Sequence, residues 1–549
     1  MQEFDPAADA ATEAHAYPLL VGRLLTQALA VNGAQEITYQ GRVRYTYARL
    51  RERIAQLANT LASLGATRGT PVAILDWDSH RYLEAYFAVP MMGATMMTVN
   101  VRLSPQQIAY TLNDSAAPIA IVHRDFVPML EQIRGTLPHL RTIVVAEDDG
   151  GPVETTLDVA GEYEALMAQA ATQFDFPEFD ERTRAATFYT TGTTGDPKGV
   201  FYSHRQIVLH ALMSASALCS PRAGQRLDRE DVYMPVTPMF HVLAWGMPYL
   251  AVMLGLKIVL PGRYLPERLL ALKRSERVTF SHCVPTVLQM LLDAADAQVA
   301  DLSGWTILIG GSALSPALCG AALARGIDVF AGYGMSETGP IVALAQLPPG
   351  AQPAPDDSVR LRCRTGRPVP LVELRIVDDA ARDLPRDGRA QGEIVLRGPS
   401  LTQGYRGKPA DSDALWAGGY LHTQDVAVIG PDGYVQIVDR LKDVIKTGGE
   451  WVSSIDVEAR IAELPEVREC AVIGVPDAKW GERPLAVIVP RDGASLSADA
   501  VRAHLLGHAD ANRISRYAVP EAERIVFADA LPKTSVGKLD KRRLRERIA

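Results

Sequence analysis

The 549-residue sequence has few cysteines, no clustered cysteine motif and no excess of positive charge. Its five cysteines, at positions 219, 283, 319, 363 and 470, lie too far apart to form a CxxC zinc knuckle or redox pair. An odd number of isolated cysteines is typical of reduced thiols, which predicts a cytoplasmic protein. The 56 Lys and Arg against 64 Asp and Glu give a net charge of −8, which argues against a general nucleic-acid-binding protein.

The N-terminus does not predict a secretion signal. Its first 17 residues are acidic and rich in alanine, with neither the basic nor the apolar region of such a signal. The run from Val232 to Leu256 contains no Asp, Glu, Lys or Arg and is long enough to cross a bilayer. Because three prolines and His241 interrupt this run, we expect a buried strand, loop and helix there rather than a membrane span.

The overall composition, with 47% apolar and 22% charged residues, is that of an ordinary globular protein. At about 150 residues per domain, the length predicts three or four structural units. Short β-branched runs such as Pro71–Leu75 and Thr142–Ala146 predict buried strands, and Tyr47–Leu64 has the pattern of a helix. The alternation of strands and helices along most of the chain predicts an α/β fold.

The pattern changes after about residue 360. Glycine, proline and charged residues become denser, and strands such as Gly392–Arg397 are predicted to pair across tight turns in an antiparallel sheet or barrel. From Lys442 onward, a predicted helix at Ser454–Glu463, several strands and a basic tail indicate a compact α+β unit. From Lys533 to its end, that tail holds seven Lys and Arg against two acidic residues.

The most informative segment is the undecapeptide Tyr189–Gly199, which reads YTTGTTGDPKG. Its threonine hydroxyls, its glycines and Lys198 make a flexible cradle for anions. The glycine spacing and the Gly after Lys198 exclude a Walker A loop. A second glycine-rich turn, Gly332–Pro340, contains Glu337. Because a carboxylate beside a polyphosphate requires a hard cation between them, Glu337 is a candidate Mg²⁺ ligand.

These two segments resemble the signature motifs of the adenylate-forming superfamily, which comprises acyl-CoA synthetases, luciferases and adenylation domains. Further blocks resemble the family in the same order, so the resemblance covers nearly the whole chain; they are Val236–Trp245, Tyr420–Asp425, Asp439–Ser454 and Leu531–Asp540. The sequence is most similar to bacterial medium- and long-chain fatty acyl-CoA synthetases. The resemblance implies a large N-terminal domain, residues 1–440, of two α/β subdomains and a small β-barrel-like subdomain. A small mobile α+β C-terminal domain, residues 441–549, would follow it.

The resemblance also implies the residues that bind the nucleotide. They are Thr190, Thr191, Gly192, Thr193, Thr194, Gly195 and Lys198 in the phosphate loop, Gly311, Ser312, Gly332, Tyr333, Gly334, Met335, Ser336 and Thr338 near adenine and the α-phosphate, and Asp425 and Arg440 at the ribose. Thr190 and Glu337 would hold Mg²⁺. One departure is Thr423-Gln424-Asp425, where the family most often has Thr-Gly-Asp; the substitution keeps the carboxylate, so Asp425 keeps its expected role.

Other residues are assigned to the acid, to coenzyme A and to domain motion. By resemblance, Lys538 is the catalytic lysine and His241 faces the carboxylate and the adenylate. Trp245 matches an aromatic gate of the acyl tunnel, and the alternative that it is a core aromatic stays open. Lys442 aligns with the family hinge, and Thr447, Gly448 and Gly449 would line the tunnel for the pantetheine arm.

The function that the resemblance implies is ATP-dependent acid–thiol ligation. A medium- or long-chain fatty acid would form an acyl-AMP intermediate and pass to coenzyme A, with release of AMP and pyrophosphate. The alternatives are an aromatic or branched carboxylate as substrate, a carrier protein as acyl acceptor, and a nucleotide-binding regulator without turnover. The expected partners are small molecules and not nucleic acid, and the sequence leaves open whether the chain forms a homodimer.

Overall fold

The chain forms four β-sheets with helices packed against them. The structure, a computed structural model, describes residues 14–190, 196–221, 224–447, 450–511, 513–534 and 538–548. Within these ranges the sheets contain seven, nine, four and five strands. Among the helices so described, none is both long and apolar enough to span a membrane. This architecture confirms the predicted α/β fold.

The elements follow one another in this order. The strands are β1 (Glu36–Tyr39), β2 (Val43–Thr46), β3 (Pro71–Leu75), β4 (Thr95–Thr98), β5 (Ile119–His123), β6 (Thr142–Ala146), β7 (Gly161–Glu162), β8 (Arg184–Thr190), β9 (Lys198–Ser203), β10 (Val232–Pro235), β11 (Lys257–Leu260), β12 (Phe280–Cys283), β13 (Trp305–Ile309), β14 (Ile327–Gly334), β15 (Ile341–Leu344), β16 (Arg367–Pro368), β17 (Glu373–Val377), β18 (Gly392–Arg397), β19 (Leu421–Ile429), β20 (Val435–Arg440), β21 (Ile445–Thr447), β22 (Glu450–Val452), β23 (Val467–Asp477), β24 (Gly481–Pro490) and β25 (Ile525–Phe527). The helices are α1 (Arg23–Asn32), α2 (Tyr47–Ser63), α3 (His80–Met91), α4 (Pro105–Ser115), α5 (Val127–Ile133), α6 (Tyr163–Gln169), α7 (His204–Leu218), α8 (Val242–Trp245), α9 (Met247–Leu254), α10 (Pro266–Glu276), α11 (Pro285–Gln298), α12 (Pro316–Ala324), α13 (Pro355–Arg362), α14 (Pro409–Leu415), α15 (Ser454–Ile461), α16 (Ala498–Asp510) and α17 (Lys541–Ile548).

The seven-stranded sheet has the order β7-β6-β5-β3-β4-β8-β9. Its neighbouring strands are parallel except β8 and β9, which form an antiparallel hairpin. The central strands β3 and β5 are almost continuous runs of buried apolar residues, as expected where helices cover both faces of a parallel sheet. The predicted anion cradle connects β8 to β9; its residues 191–195 lie outside the described residues.

The nine-stranded sheet has the order β16-β15-β14-β13-β12-β10-β11-β1-β2. Its strands from β14 through β1 run parallel, and β2, β15 and β16 add antiparallel edges. The uncharged run Val232–Leu256 forms β10, a loop with a tight turn at α8, and helix α9, and most of its side chains are buried in two neighbouring hydrophobic clusters. This confirms the buried strand, loop and helix expected from the prolines.

The two smaller sheets follow along the chain. Strands β17 to β20 form an antiparallel meander, so the expected barrel-like subdomain is an open sheet in the described part of the chain. Four strands are too few to close around a packed interior, because small closed barrels have about eight. Strands β21 to β25, with α15, α16 and α17, form the predicted α+β unit. The exact domain boundary between residues 440 and 441 stays a prediction.

A buried ionic cluster links helices α2 and α3 to strand β2 and helix α6. The carboxylate of Glu84 on α3 is fully buried and accepts hydrogen bonds from Arg53 on α2 at 2.6 and 3.1 Å. The hydroxyls of Tyr45 and Tyr163 donate to the same carboxylate at 3.0 and 2.6 Å. Arg53 also pairs with the partly exposed Glu164 at 2.7 Å. With four donors, the buried charge of Glu84 is fully compensated.

Replacing Glu84 by leucine should destabilise the protein strongly. Arg53 would keep only Glu164, and two tyrosine hydroxyls would lose their acceptor, so we expect a loss of about 3 kcal/mol in the free energy of unfolding. Urea denaturation followed by circular dichroism measures the change. As a control, Glu52→Gln breaks the exposed Arg49–Glu52 pair on the same helix α2 and should cost at most about 0.5 kcal/mol. Similar losses for the two variants would contradict the role given to Glu84.

Candidate active site

Four parallel strands of the nine-stranded sheet end side by side at one edge. β10 leads into the loop Val236–His241, β12 leads into Val284, and β13 leads into Gly310 and Gly311, while β14 ends at Gly334. In open parallel sheets, ligands bind in the crevice outside the carboxyl ends of the strands. Topology therefore brings together sequence blocks that are about 100 residues apart along the chain.

The end of β14 and the turn after it hold the predicted adenine segment. Gly334 lies so close to the carbonyl oxygen of Pro340 that a side chain at position 334 would collide with it. The backbone N–H of Met335 donates to Thr338 Oγ1 at 3.0 Å, and the hydroxyl of Tyr202 donates to the Ser336 carbonyl at 2.6 Å. These contacts fix the backbone of the turn. The roles of Gly332, Met335, Ser336 and Thr338 toward a nucleotide stay predictions.

The predicted ribose site forms a connected cluster. The hydroxyl of Tyr333 donates to Asp425 Oδ2 at 2.7 Å, and Arg440 Nε lies 3.4 Å from Asp425 Oδ1. Asp425 is 7% exposed, and burial raises the pKa of its carboxyl, an effect that the charge of Arg440 opposes. The structure therefore places three of the predicted residues, Tyr333, Asp425 and Arg440, in direct contact.

Gln424 stands where the family most often has glycine, and its backbone has a conformation that favours glycine. Its φ is 60°, in the left-handed region that glycine adopts without strain. The backbone N–H of Gln424 donates to Glu393 Oε1 at 2.9 Å, and its carbonyl accepts from Leu441 N–H at 2.9 Å. These bonds hold the strained residue in place, so that Asp425 reaches Tyr333 despite the missing glycine.

On the phosphate side, Thr190 and Lys198 face each other across the β8–β9 hairpin. Lys198 Nζ lies 3.1 Å from Asp411 Oδ2 and 4.8 Å from the centre of the Tyr405 ring. The other predicted residues of this loop, which are Thr191, Gly192, Thr193, Thr194 and Gly195, lie outside the described residues. Lys198 is thus a fixed cation at the exit of the loop.

Glu337 has the surroundings of a cation ligand. Its side chain is 7% exposed, and burial raises the pKa of its carboxyl. The hydroxyl of Tyr405 donates to Glu337 Oε1 at 2.7 Å, and the charge of Lys198 also acts on the carboxylate. The carboxylate of Glu337 and the hydroxyl of Thr190, a residue whose backbone is paired with Lys198 in the hairpin, are hard oxygen donors. They fit Mg²⁺.

Lys538 reaches this site from the C-terminal part of the chain. A Cβ atom built on Gly311 would lie 2.8 Å from Lys538 Cε, so the side chain of Lys538 occupies the space that Gly311 leaves. Burial, with a further contribution from the charge of Arg440, lowers the pKa of the Lys538 ammonium to about 8. The negative charges of Asp425 and Glu337 act in the opposite direction. Ser312 lies exposed beside Gly311.

His241 and Trp245 lie on a strained turn. From Val242 to Trp245 the φ angles are 46° to 59°, and Gly246 follows at 71°, so the backbone makes a left-handed turn. Such residues cost about 1–2 kcal/mol each, and strain of this kind is concentrated at functional sites. Burial lowers the pKa of His241 to about 3, with smaller contributions from the charges of Lys538 and Arg102, so its imidazole is neutral.

Trp245 packs between two residues of neighbouring strands. Its ring centre lies 4.9 Å from that of His282, and a Cβ built on Gly310 would lie 2.8 Å from its ring. The side chain is 6% exposed. The indole therefore fills the space at the ends of β12 and β13, a position consistent with a gate as well as with a core aromatic, and the gating role stays a prediction.

Two sets of contacts were not predicted from the sequence. The carboxylate of buried Asp78, at the end of β3, accepts from the Met239 N–H at 2.8 Å and from the hydroxyl of Tyr264, and so holds the loop before His241. Burial raises the pKa of Asp78 to about 7. Tyr405 contacts both Glu337 and Lys198. No motif marks Asp78, because its partners Met239 and Tyr264 lie in loops that are distant along the chain.

The predicted hinge and tunnel residues lie after β20. Lys442 is exposed in the turn between β20 and β21, and Thr447 is buried where β21 pairs with Gly481 of β24. Gly448 and Gly449 lie outside the described residues. The structure does not bring Thr447 into contact with the nucleotide cluster described above. Rotation about Lys442 and the tunnel role of Thr447 stay predictions.

Comparison with known proteins identifies the class. Residues 25–406 match the AMP-binding enzyme family, and residues 456–538 match the C-terminal domain of AMP-binding enzymes. The chain therefore belongs to the AMP-binding enzyme family, as the sequence motifs implied. The predicted phosphate loop lies within the first matched region, and the predicted ribose residues Asp425 and Arg440 lie between the two.

Individual relatives span almost the whole chain. A long-chain-fatty-acid–CoA ligase of Thermus thermophilus is 42% identical over 95% of this chain and 94% of its own length. A 3-methylmercaptopropionyl-CoA ligase of Ruegeria pomeroyi is 38% identical over 97% of both chains. The crystal structure of the anthranilate CoA ligase AuaEII in complex with anthranoyl-AMP has a TM-score of 0.84 and 26% identity, and covers 96% of this chain and 98% of that one.

Replacing Asp425 by asparagine should weaken the binding of AMP. The amide keeps the size of the side chain but loses the charge that makes a strong acceptor for hydroxyl groups, so we expect about a 10- to 100-fold rise in the dissociation constant. Isothermal titration calorimetry with AMP measures it. Asp432→Asn, in the turn that follows the same strand β19, is the matched control and should bind AMP as the wild type does. Unchanged affinity in Asp425→Asn would exclude Asp425 as a nucleotide ligand.

Proposed function

We propose that this protein is an ATP-dependent acid–CoA ligase that activates a medium- or long-chain fatty acid through an acyl-AMP intermediate. The observation that carries the proposal is the position of Lys538, whose side chain lies against Gly311 and interacts with Asp425, Glu337 and His241. A half-buried ammonium group between the ribose cluster and the acyl-site loop is where an acid and an α-phosphate would meet.

The chemistry explains why such an ammonium is needed. A carboxylate is a poor electrophile, because attack on it must expel an oxide, and adenylation replaces that oxide with AMP. The acid oxygen attacks the α-phosphorus of ATP in line, the bond to pyrophosphate breaks, and pyrophosphate leaves with its electron pair. Two anions must come together in this step, so positioning and electrostatic stabilisation account for most of the catalysis.

The chain supplies the required positive charge from three directions. Lys198 would face the β- and γ-phosphates, and Lys538 would bridge the acid and the α-phosphate. Arg440 lies beside Asp425, the carboxylate that would bind the ribose. Mg²⁺, held by Glu337 and Thr190, would neutralise charge on the leaving pyrophosphate. His241 is neutral and half-buried, so it can approach the acid as a hydrogen-bond partner without adding charge.

The second half-reaction, transfer of the acyl group to a thiol, needs a path that Lys538 blocks in this arrangement. We place the domain boundary at 440/441 and the hinge at Lys442, so that rotation of residues 441–549 withdraws Lys538. The same rotation would present Thr447, Gly448 and Gly449 to the pantetheine arm of coenzyme A. The basic C-terminal tail suits the phosphates of coenzyme A on charge grounds.

The choice of a fatty acid rests on the 42% identity with the Thermus thermophilus long-chain enzyme and on the apolar run around Trp245. The name of the Ruegeria pomeroyi relative refers to a short thioether acid, and that of AuaEII refers to an aromatic acid. These two classes of acid are the alternative substrates. A carrier protein is the alternative acceptor. A cytoplasmic location and a homodimer are parts of the same proposal.

Lys538→Ala should separate the two half-reactions. Formation of acyl-AMP from acid and ATP should fall about 10²–10³-fold, because one preorganised charge is lost from the transition state. Thioester formation from supplied acyl-AMP should stay within a few-fold of wild type. Pyrophosphate release and thioester absorbance measure the two steps. Lys533→Ala removes a nearby tail lysine paired with Glu469 and is the control. Equal loss of both half-reactions would argue against the assigned role.

A panel of acids tests the fatty-acid proposal. AMP release with straight-chain acids from C2 to C18 should show kcat/KM rising with chain length, by roughly three- to fourfold per CH₂ while the chain is being buried, since each buried CH₂ contributes about 0.8 kcal/mol. Anthranilate and 3-methylmercaptopropionate are the comparison substrates. A higher kcat/KM for either of them than for every straight-chain acid would exclude the fatty-acid assignment and leave the acid–CoA ligase intact.

A further inference from the structure

Three side chains of types that can bind metal ions lie close together, two on helix α16 and one just after the end of helix α15. None of them belongs to the proposed ligase site. His504 and His508 are four residues apart on helix α16, and Glu463 follows the end of helix α15. One ligand atom from each of the three side chains lies within 4.8 Å of the other two. Residues four apart on a helix project from the same face, so the two imidazoles can contact one ion.

The hydrogen bonds around His504 fix its free nitrogen. His504 Nε2 lies 2.9 Å from the carbonyl oxygen of Arg460, a residue in the last turn of α15. A carbonyl only accepts, so Nε2 carries the proton, and the lone pair of the neutral ring is on Nδ1. A backbone carbonyl on one ring nitrogen is the usual outer partner of a metal-bound histidine, because it sets the tautomer and the orientation of the ring.

His508 and Glu463 are already in contact. His508 Nε2 lies 3.0 Å from Glu463 Oε2, and the ring centres of His504 and His508 are 4.7 Å apart. His508 is buried, and burial lowers the pKa of its imidazole, with a smaller opposing effect from Glu463. The other ring nitrogen of His508, Nδ1, is buried and has no hydrogen-bond partner among the described residues.

The surrounding charges limit the affinity. Arg460 Nη1 donates to Glu463 Oε1 at 2.7 Å, which leaves Oε2 for His508 or an ion. The charges of Arg460 and Arg513 also act on His508. With one carboxylate against two guanidinium groups, electrostatics favour neither a large hard cation nor very tight binding. Two imidazoles and one carboxylate are the ligand set of Zn²⁺ and similar transition ions rather than of Mg²⁺.

We propose that Glu463, His504 and His508 form a transition-metal site, of the zinc type, that links the end of α15 to α16. Zinc ligands lie about 2.0–2.1 Å from the ion, which puts tetrahedral ligands roughly 3.4 Å apart. The ligand atoms here lie within 4.8 Å of one another, so metal binding would draw them together by at most about 1.4 Å. The three residues leave one coordination position for water. The site is independent of ATP, of the acid and of Glu337.

Calorimetric titration of the full-length protein with ZnCl₂ tests the proposal. The protein is first freed of metal with a chelating resin, and the buffer contains no nucleotide. We expect one equivalent of zinc to bind, and the affinity to fall at least about tenfold in Glu463→Gln and in His508→Asn. MgCl₂ at the same concentration should not compete. Glu463 is exposed, so we expect Glu463→Gln to keep the fold. A loss of zinc affinity in this variant would therefore not come from unfolding.

His15→Asn is the matched control. It removes a histidine–carboxylate pair of similar length, His15 with Glu178 at 2.8 Å, from the N-terminal part of the chain. This variant should bind zinc as the wild type does. Absence of zinc binding in the wild type, or equal binding in Glu463→Gln, His508→Asn and His15→Asn, would overturn the proposal. Neither result bears on the ligase assignment, because the titration measures no turnover.

Discussion

At the contact between Lys538 and Gly311, the C-terminal part of the chain enters the proposed nucleotide site. The consequences of this contact follow from charge. The positive charge of Lys538 and the negative charges of Asp425 and Glu337 act on one another, and burial raises the pKa of both carboxylates. Within the basic C-terminal tail, Lys538 lies against Gly311. The cluster is therefore a joint product of both parts of the chain, and either part alone would leave buried charges less well compensated.

Backbone strain accompanies this electrostatic arrangement. The left-handed turn from Val242 to Gly246 and the positive φ of Gln424 lie on the two segments that lead to His241 and Asp425. Both are held by their surroundings, the first by burial in the main core and the second by hydrogen bonds to Glu393 and Leu441. Such strain persists only where packing determines the conformation, and here it lies next to His241 and Asp425.

Some elements of the fold could be predicted from the local sequence, and others depend on contacts between distant segments. Strands β3 and β6 were predicted to the residue, because short apolar runs enriched in β-branched residues favour strands, and helix α2 was predicted to within one residue. Of the two possibilities that the sequence left for residues after 360, an antiparallel sheet or a barrel, the structure has the open sheet, since pairing signals describe neighbouring strands and not whether the edges meet. The ionic cluster around Glu84 and the Asp78–Met239 contact had no signal, because their partners come from distant elements.

The sequence by itself determined the family, the order of the motifs and the chemical identity of the candidate ligands, because glycine spacing and the carboxylate, hydroxyl and ammonium groups are local properties. Only the tertiary structure decided which of them meet. It placed Tyr333 on Asp425, Tyr405 on Glu337 and Lys538 on Gly311. It also set the protonation tendencies of these groups, since a pKa shift depends on burial and on neighbouring charges that no single segment carries.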